Sequence, residues 1–333
     1  MKSIVWLASW FPSRVEPYLG DFIERHARSA SLYTNIHVIY TVKDPALRWK
    51  IQKETRVLSN SLSATVYYYP AVKIFGRTAE QLFSVLTGLF LTLFAFTSYR
   101  FRRGKPACVH VLVSWKAGLP ALLIKLLFGI RYYVFERWSV FLDDSIPHID
   151  SFKPLEKWLI GRVFQHCSGI TTTTAFFGDV LAKRYGKPVT VIPNVIVPEL
   201  FYYTPRPPRE PFRFIHVSTL DYPKNVEGIL AAFDALVTHS PDCELLVYGP
   251  NRAFDVTASD KVHFMGEVSH AQIAEAMRAA HCLILFSRYE TFGNVIIEAH
   301  ACGLPVITSD FPVFVETVAD GVNGLKAING DVA

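Results

Sequence analysis

The chain is poor in cysteine, and its five cysteines stand far apart. Cys108, Cys167, Cys243, Cys282 and Cys302 are scattered, mostly through apolar runs, with no CxxC pair and no cluster at metal-ligand spacing. This excludes a disulfide scaffold and suits a reducing, cytoplasmic setting. No apolar run reaches the roughly 20 residues of an ordinary bilayer-spanning helix. The longest, Leu82 to Thr97, is followed at once by Arg100, Arg102 and Arg103. The apolar opening runs into Phe11-Pro12 without a small-residue cleavage pattern, so it reads as a first strand and not as a signal peptide. No short repeat or low-complexity tract is present either.

What is present is a chain of 333 residues, 50% hydrophobic, which suffices for a sizeable core and fits two domains better than one. A net charge of +5 indicates a mild attraction to anions such as nucleotide phosphates or anionic lipid. Two readings stand for Leu82 to Thr97. It is a helix covering one face of a sheet, or a helix lying in a membrane surface with its basic flank on anionic headgroups.

Short β-rich runs alternate with helical ones at Ile4 to Ala8, Ile36 to Thr41, Thr65 to Tyr69, Cys108 to Val113, Tyr132 to Phe135 and Val189 to Ile192. A second series follows at Phe212 to Val217, Glu244 to Tyr248, Val262 to Phe264, Cys282 to Phe286 and Val306 to Thr308. Such alternation predicts βαβ units and parallel sheets. The prolines between Pro193 and Pro211 interrupt it, so domains are expected at 1–198 and 199–333. Two such domains facing each other would gather the carboxyl ends of both strand sets around one cleft, where open α/β sheets bind ligands.

The most informative segment runs from Phe286 to Val306 and reads strand, loop, helix, turn, strand. Phe292-Gly293 opens the helix, so the backbone N–H groups of Gly293, Asn294 and Val295 form an anion site backed by the helix dipole. Glu298 can reach vicinal hydroxyls such as those of a ribose, and Glu290 precedes the helix on the sugar side of the same ligand. Taken alone, Glu298 is an ordinary first-turn helix glutamate and Glu290 a solvated loop residue. The surrounding pattern is what singles them out.

Glu290 to Val306 resembles, throughout, the run E-x-F-G-x-x-x-x-E-A-x-A-x-G-x-P-V that marks glycosyltransferase family 4, a group of retaining enzymes with the α/β GT-B fold of two Rossmann-like, doubly wound domains. The resemblance implies that Glu290 sits by the donor sugar, that Glu298 holds the nucleotide ribose, and that Phe292, Gly293 and Asn294 offer backbone amides to phosphate and sugar. Asp310-x-Pro312, Glu316 and Asp320-Gly321-x-Asn323-Gly324 extend it. His216 to Asn225 is similar to the family's first C-domain strand and loop, where an arginine and a lysine neutralise the departing diphosphate. Lys224 takes the lysine position. Thr219 stands in place of the arginine and removes a bidentate phosphate partner.

Gly249 resembles the family's strand-end glycine near the nucleotide, and Met265-Gly266 the segment whose backbone reads the base. In the N-terminal half, Trp10-Phe-Pro12 and Gly20-Asp21-Phe22 resemble the opening loop beside diphosphate and acceptor, with Arg14 as a helper or a solvated loop arginine. Val109-His110 resembles the family's second strand-end histidine, and Phe135 to Ser139 resembles its T-E-H-W-S run, whose histidine faces the donor sugar; His110 and Arg137 are expected on the acceptor side. Arg137 replaces the second segment's histidine, and either binds an anionic group or pairs with Glu136. His110 is also read as a satisfied core histidine beside a strand. Pro193-Asn194 is similar to the family's hinge.

The family's terminal helices, which cross back to the N-terminal domain, have no counterpart in the nine residues after Gly324, so a shortened chain is expected. The cleft segments hold no D-x-D pair or His/Asp cluster suited to a divalent cation, and Lys224 with the Gly293 helix end is left to carry the phosphate charge. The expected activity is therefore metal-independent, retaining transfer from a UDP- or GDP-linked sugar, without a cofactor, to a glycan or lipid-linked acceptor. It would belong to cell-surface polysaccharide or glycolipid assembly, in the cytoplasm or at the inner face of the plasma membrane. The alternatives are a non-catalytic nucleotide-sugar-binding or membrane-associated module and a sugar-nucleotide epimerase.

Overall fold

A computed structural model describes residues 3–71, 76–205, 211–250, 254 and 259–328. Part of the proline-rich linker, at 206–210, and the last residues, 329–333, lie outside that range. The chain divides into two compact units. One holds Met1–Phe141, His148–Thr173 and Gly178–Val195, the other Leu142–Pro147, Thr174–Phe177 and Ile196–Ala333. The main switch thus falls between Val195 and Ile196, beside Asn194, close to the boundary at 198 expected from the prolines. Two short segments, Leu142–Pro147 and Thr174–Phe177, belong with the second unit, which the proline pattern does not indicate.

The first unit contains strands β1 (Ser3–Ala8), β2 (Asn35–Asp44), β3 (Gln52–Ser59), β4 (Leu62–Pro70), β5 (Cys108–Leu112), β6 (Tyr132–Phe135), β7 (Ile170–Thr172) and β8 (Val189–Val191). Its helices are α1 (Asp21–Ser31), α2 (Arg77–Arg103), α3 (Ser114–Phe128), α4 (Pro154–His166) and most of α5 (Ala175–Tyr185). The sheet order is β3-β4-β2-β1-β5-β6-β7-β8. Leu7 pairs with Ile39 on one side and Val111 on the other, so the central strands are apolar on both faces, as parallel strands covered by helices must be. Trp6, Phe11, Val38, Tyr40, Tyr68 and Phe135 form one buried cluster of this unit.

β3 was not anticipated. It runs antiparallel to β4 at the sheet edge, and its residues Gln-Lys-Glu-Thr-Arg-Val-Leu-Ser alternate between exposed and half-buried. Charged side chains on an exposed edge hide the hydrophobic signal while protecting that edge from further pairing. α2 is also longer than its apolar run suggested, because Arg100, Arg102 and Arg103 continue the helix instead of ending it. Leu91, Thr92, Ala95 and Phe96 form its buried stripe, while Leu82, Val85, Leu86 and Phe90 are each more than half exposed. By length and composition, Thr78–Arg103 is sufficient to cross a membrane.

The second unit contains β9 (Phe212–Val217), β10 (Cys243–Tyr248), β11 (Val262–Gly266), β12 (Cys282–Leu285), β13 (Val306–Ser309) and β14 (Gly324–Ala327), with α6 (Val226–His239), α7 (His270–Ala279) and α8 (Asn294–Ala301). The order is β11-β10-β9-β12-β13-β14, and the pairs are parallel. Alternate residues of β10 serve two cores: Leu245 and Val247 pack with Leu230 and Phe233 of α6, whereas Leu246 and Tyr248 pack with the cluster that contains Met277 of α7 and Ile296 of α8. This period of two makes the unit a doubly wound α/β layer.

Burial holds four histidines neutral, pushing His26 down to about 3 and His37, His110 and His216 down to about 4. In the unfolded chain they protonate near 6.5, so between those values the unfolded state binds more protons and stability falls with acid, by ~1.4 kcal/mol per pH unit for each histidine. His300 is lowered by burial as well, while Glu136, whose carboxyl burial pushes up, acts with the opposite sign above the ordinary carboxylate range, one group against five. The urea midpoint is therefore expected to fall steadily from pH 7 to pH 5; a midpoint unchanged over that range would contradict the buried, neutral histidines.

Candidate active site

In the second unit, the carboxyl ends of β9, β10 and β11 close on one another through backbone bonds. The Ser218 N–H donates to the Tyr248 carbonyl and the Gly249 N–H to the Gly266 carbonyl, each at 3.1 Å. A Cβ on Gly249 would lie 2.6 Å from Leu220 Cγ, so glycine is required for this approach. Gly266 takes φ +74°, and Met265 beside it is 46% exposed. Thr219 is exposed in the loop after β9.

His216 supports that loop from below. Its Nδ1 faces the Ile284 carbonyl at 2.8 Å, which can only accept, so Nδ1 carries the proton and Nε2 accepts from the Ser218 hydroxyl at 2.7 Å. Ser218 Oγ in turn accepts the Leu220 N–H at 3.0 Å and helps to hold Leu220 at φ +52°.

Two loops then meet. Arg288, after β12, donates its backbone N–H to the Pro223 carbonyl at 2.8 Å and a guanidinium N–H to the Tyr222 carbonyl at 2.7 Å. This brings Lys224 Nζ to 2.5 Å from Glu290 Oε2. The other carboxylate oxygen accepts the Thr291 N–H at 3.0 Å. Burial opposes both charges, but each charge stabilises the other. With the amides of Thr291 and Phe292 added, Glu290 is held below the usual carboxylate range, and Lys224 is held above its ordinary value. The pair is ionised at neutral pH.

Past Thr291 the chain turns into α8 through Gly293 at φ +82°, a conformation side-chain-bearing residues avoid. Phe292 is buried, which leaves its backbone as the polar part available to a ligand. Asn294 is the first residue of α8, and Glu298, 5% exposed, lies just over one turn on. Among the described residues, no group of three His, Cys, Asp or Glu side chains is placed to hold a metal ion.

The donor-side candidate Gly20 and the acceptor-side candidates Arg14, His110 and Arg137 belong to the first unit. Arg14 is bound to Asp44 at 2.7 Å and lies over the Tyr68 ring. Gly20, at φ +76°, starts α1 where a Cβ would sit 2.6 Å from the Trp10 carbonyl carbon. His110 stacks on Trp6 and packs near Tyr133, and its buried Nδ1 has no hydrogen-bond partner among the described residues. Glu136 accepts the backbone N–H groups of Ser114, Arg137 and Trp138, and the Arg137 guanidinium lies over Phe135 and donates to His26 Nδ1 at 2.8 Å. At 6% exposure it braces α1 against β6.

Residues 204–333 match the family model described as glycosyl transferases group 1. Over that range the chain is similar to the group 1 glycosyl transferases. A glycogen synthase of Mycobacterium tuberculosis is 28% identical over 191 residues, 54% of this chain and 45% of that enzyme. One component of the human phosphatidylinositol N-acetylglucosaminyltransferase is 25% identical over 268 residues, 78% of this chain and 53% of the relative. The chain thus spans about half the length of these curated relatives. The solved structure of a sucrose-phosphate synthase from Thermosynechococcus elongatus superposes with a TM-score of 0.76 at 18% identity, covering 100% of this chain and 87% of that one. The fold is GT-B.

In the second unit, sequence reasoning selected Lys224 and Glu290 separately and missed their contact, together with Arg288, His216 and Ser218, which set it up. The missed residues are not encoded by spacing: Arg288 reaches the Tyr222 carbonyl 66 positions away. Tyr289 is also new. Its hydroxyl bonds both the N–H and the carbonyl of Ile146 at 3.2 Å, which ties the Leu142–Pro147 segment to the site loop. Replacing Lys224 by methionine removes the compensating charge but leaves Glu290 half-buried. Its carboxyl pKa is expected to rise above the ordinary carboxylate value in a carbon-13 NMR titration, and an unmoved value would show that the pair does not control it.

Proposed function

We propose that the protein transfers a sugar from a UDP- or GDP-linked donor to an acceptor hydroxyl, with retention of configuration and without a metal. The observation that carries this is the half-buried Lys224–Glu290 pair at the mouth of α8. It sets a cation for the diphosphate and a carboxylate for the sugar hydroxyls side by side on the group 1 unit. Lys224 keeps further N–H donors for phosphate oxygens while bound to Glu290. Glu298 takes the ribose hydroxyls, Gly293 and Asn294 present backbone amides, and Thr219, Gly249, Met265 and Gly266 border the nucleotide.

In the reaction the acceptor oxygen forms a bond to the anomeric carbon on the face from which the diphosphate departs. The bond to the leaving phosphate oxygen breaks, and that oxygen takes the acceptor's proton. Lys224 stabilises the charge that builds on the diphosphate; removing such a donor costs about 10²–10³ in kcat in comparable sites. Gly20 borders the diphosphate, Arg14 serves the acceptor side, and His110 and Arg137 shape that side from the core. The acceptor we favour is a lipid-linked glycan of cell-surface polysaccharide or glycolipid assembly, reached from the cytoplasmic membrane face. The exposed apolar side of α2 supports this, as does similarity to a relative named for phosphatidylinositol.

Calorimetric titration with UDP and GDP in EDTA tests the donor site. One nucleotide is expected to bind, and a Glu298→Ala variant is expected to lose that binding; a wild type that binds neither would sink the proposal. Proton NMR of the product checks retention, and Lys224→Met should lower kcat by about 10²–10³. A second reading, a nucleotide-sugar-binding module without turnover, is favoured by the neutral, exposed Thr219 where the family carries an arginine. Transfer to any acceptor dismisses it.

A further inference from the structure

The first unit has an open cavity of about 550 Å³ at the amino ends of β1, β2 and β4, walled by the β3–β4 hairpin and the last turns of α2. Open α/β sheets take their substrates at the opposite, carboxyl ends of the strands, so the proposed transfer reaction makes no use of this groove.

Its charge is one-sided. Lys53, Arg102 and Arg103 line it, and none of the residues lining it is an aspartate or glutamate. Elsewhere in this unit Arg14, Arg25, Arg28, Arg56 and Arg184 each sit on a carboxylate. Lys53, Arg102 and Arg103 have no ion-pair or hydrogen-bond partner among the described residues; Lys53 lies only over the Tyr67 ring, 6.0 Å away.

The cavity lining between these cations is a set of hydroxyls held in place by His37. Its Nδ1 is 2.8 Å from Ser63 Oγ, its Nε2 is 3.2 Å from Thr65 Oγ1, and its ring stacks on Tyr99. Burial, with the charges of Arg103 and Lys53 added, keeps this imidazole neutral, so the ring orders the hydroxyls without contributing charge of its own. Cations free of carboxylates above a bed of fixed hydroxyls match a phosphate ester, whose oxygens accept from both.

We propose that this groove binds a phosphate ester of a small polyol. That chemistry occurs in two forms, the headgroup of an anionic phospholipid and a soluble polyol phosphate. Ala95, Ser98 and Tyr99 of α2 line the groove, and the same helix exposes Phe90, Phe94 and Phe101, so a headgroup and its acyl chains would meet adjacent surfaces. The proposal is independent of the transfer reaction and is read by binding alone.

The test titrates the full chain with glycerol phosphate, and separately co-sediments it with phosphatidylcholine vesicles that contain or lack phosphatidylglycerol. Lys53→Glu and Arg103→Glu are the variants, and Lys183→Glu, on α5, is the charge control. Binding to either probe is expected to weaken about tenfold per reversed charge in the groove and to be unchanged in the control. Saturation by glycerol phosphate identifies the soluble form; binding only to phosphatidylglycerol vesicles identifies the headgroup. Binding to neither probe overturns the proposal, as does equal weakening in the control. Nucleotide titration of the same variants separates this outcome from failure of the donor site.

Discussion

The half-buried ion pair between Lys224 and Glu290 is the constraint on which the candidate site depends. A lysine and a glutamate removed from water each carry a desolvation penalty, and the arrangement holds only because each offsets the other and amides of the following loop share the carboxylate. The two loops that carry them are fastened first by hydrogen bonds to the backbone: Arg288 to the Tyr222–Pro223 turn, Tyr289 to Ile146, and the Thr174 hydroxyl to the Thr291 carbonyl. Preorganisation of this kind spares a ligand the cost of ordering the loops, and leaves the pair as the electrostatic element of the candidate site.

Neutral histidines recur as supports in both units. His216 converts a carbonyl of the neighbouring strand into an ordered hydroxyl and then an ordered loop amide, and His26 accepts from Arg137 beneath α1. In each case burial removes the charge and leaves a ring with one donor and one acceptor, suited to joining a group that only accepts to one that donates. The cost is sensitivity to acid. Arg137 illustrates the other solution: a cation accommodated between aromatic faces, at a position where a resemblance alone would place it against a ligand.

α2 divides its two faces between different environments. Its inner stripe covers the first sheet as an ordinary crossover helix does, while its outer face keeps Leu82, Leu86 and Phe90 in solvent and its last turn carries Arg102 and Arg103. The two readings of this segment are not exclusive, since a helix of this length has a face for each. The groove beside its basic end adds a polar site to an apolar one on a single element.

By itself the sequence determined the alternation of strands and helices, and with it two parallel-sheet units, because parallel strands buried on both faces must be written as uninterrupted apolar runs. It also determined the helix start at Gly293 and the acidic pair around it, since a close backbone approach and a paired carboxylate each leave a local mark. β3 escaped because an exposed edge strand has polar alternation in place of an apolar run, and β7 and β14 because a few residues carry too little pattern. Only tertiary structure decided that Lys224 and Glu290 share one charge interaction, that Arg137 turns inward to His26, and that Lys53 meets Arg103 across a groove. These are contacts between residues distant in the chain, set by how strands register and loops cross, and no local spacing records them.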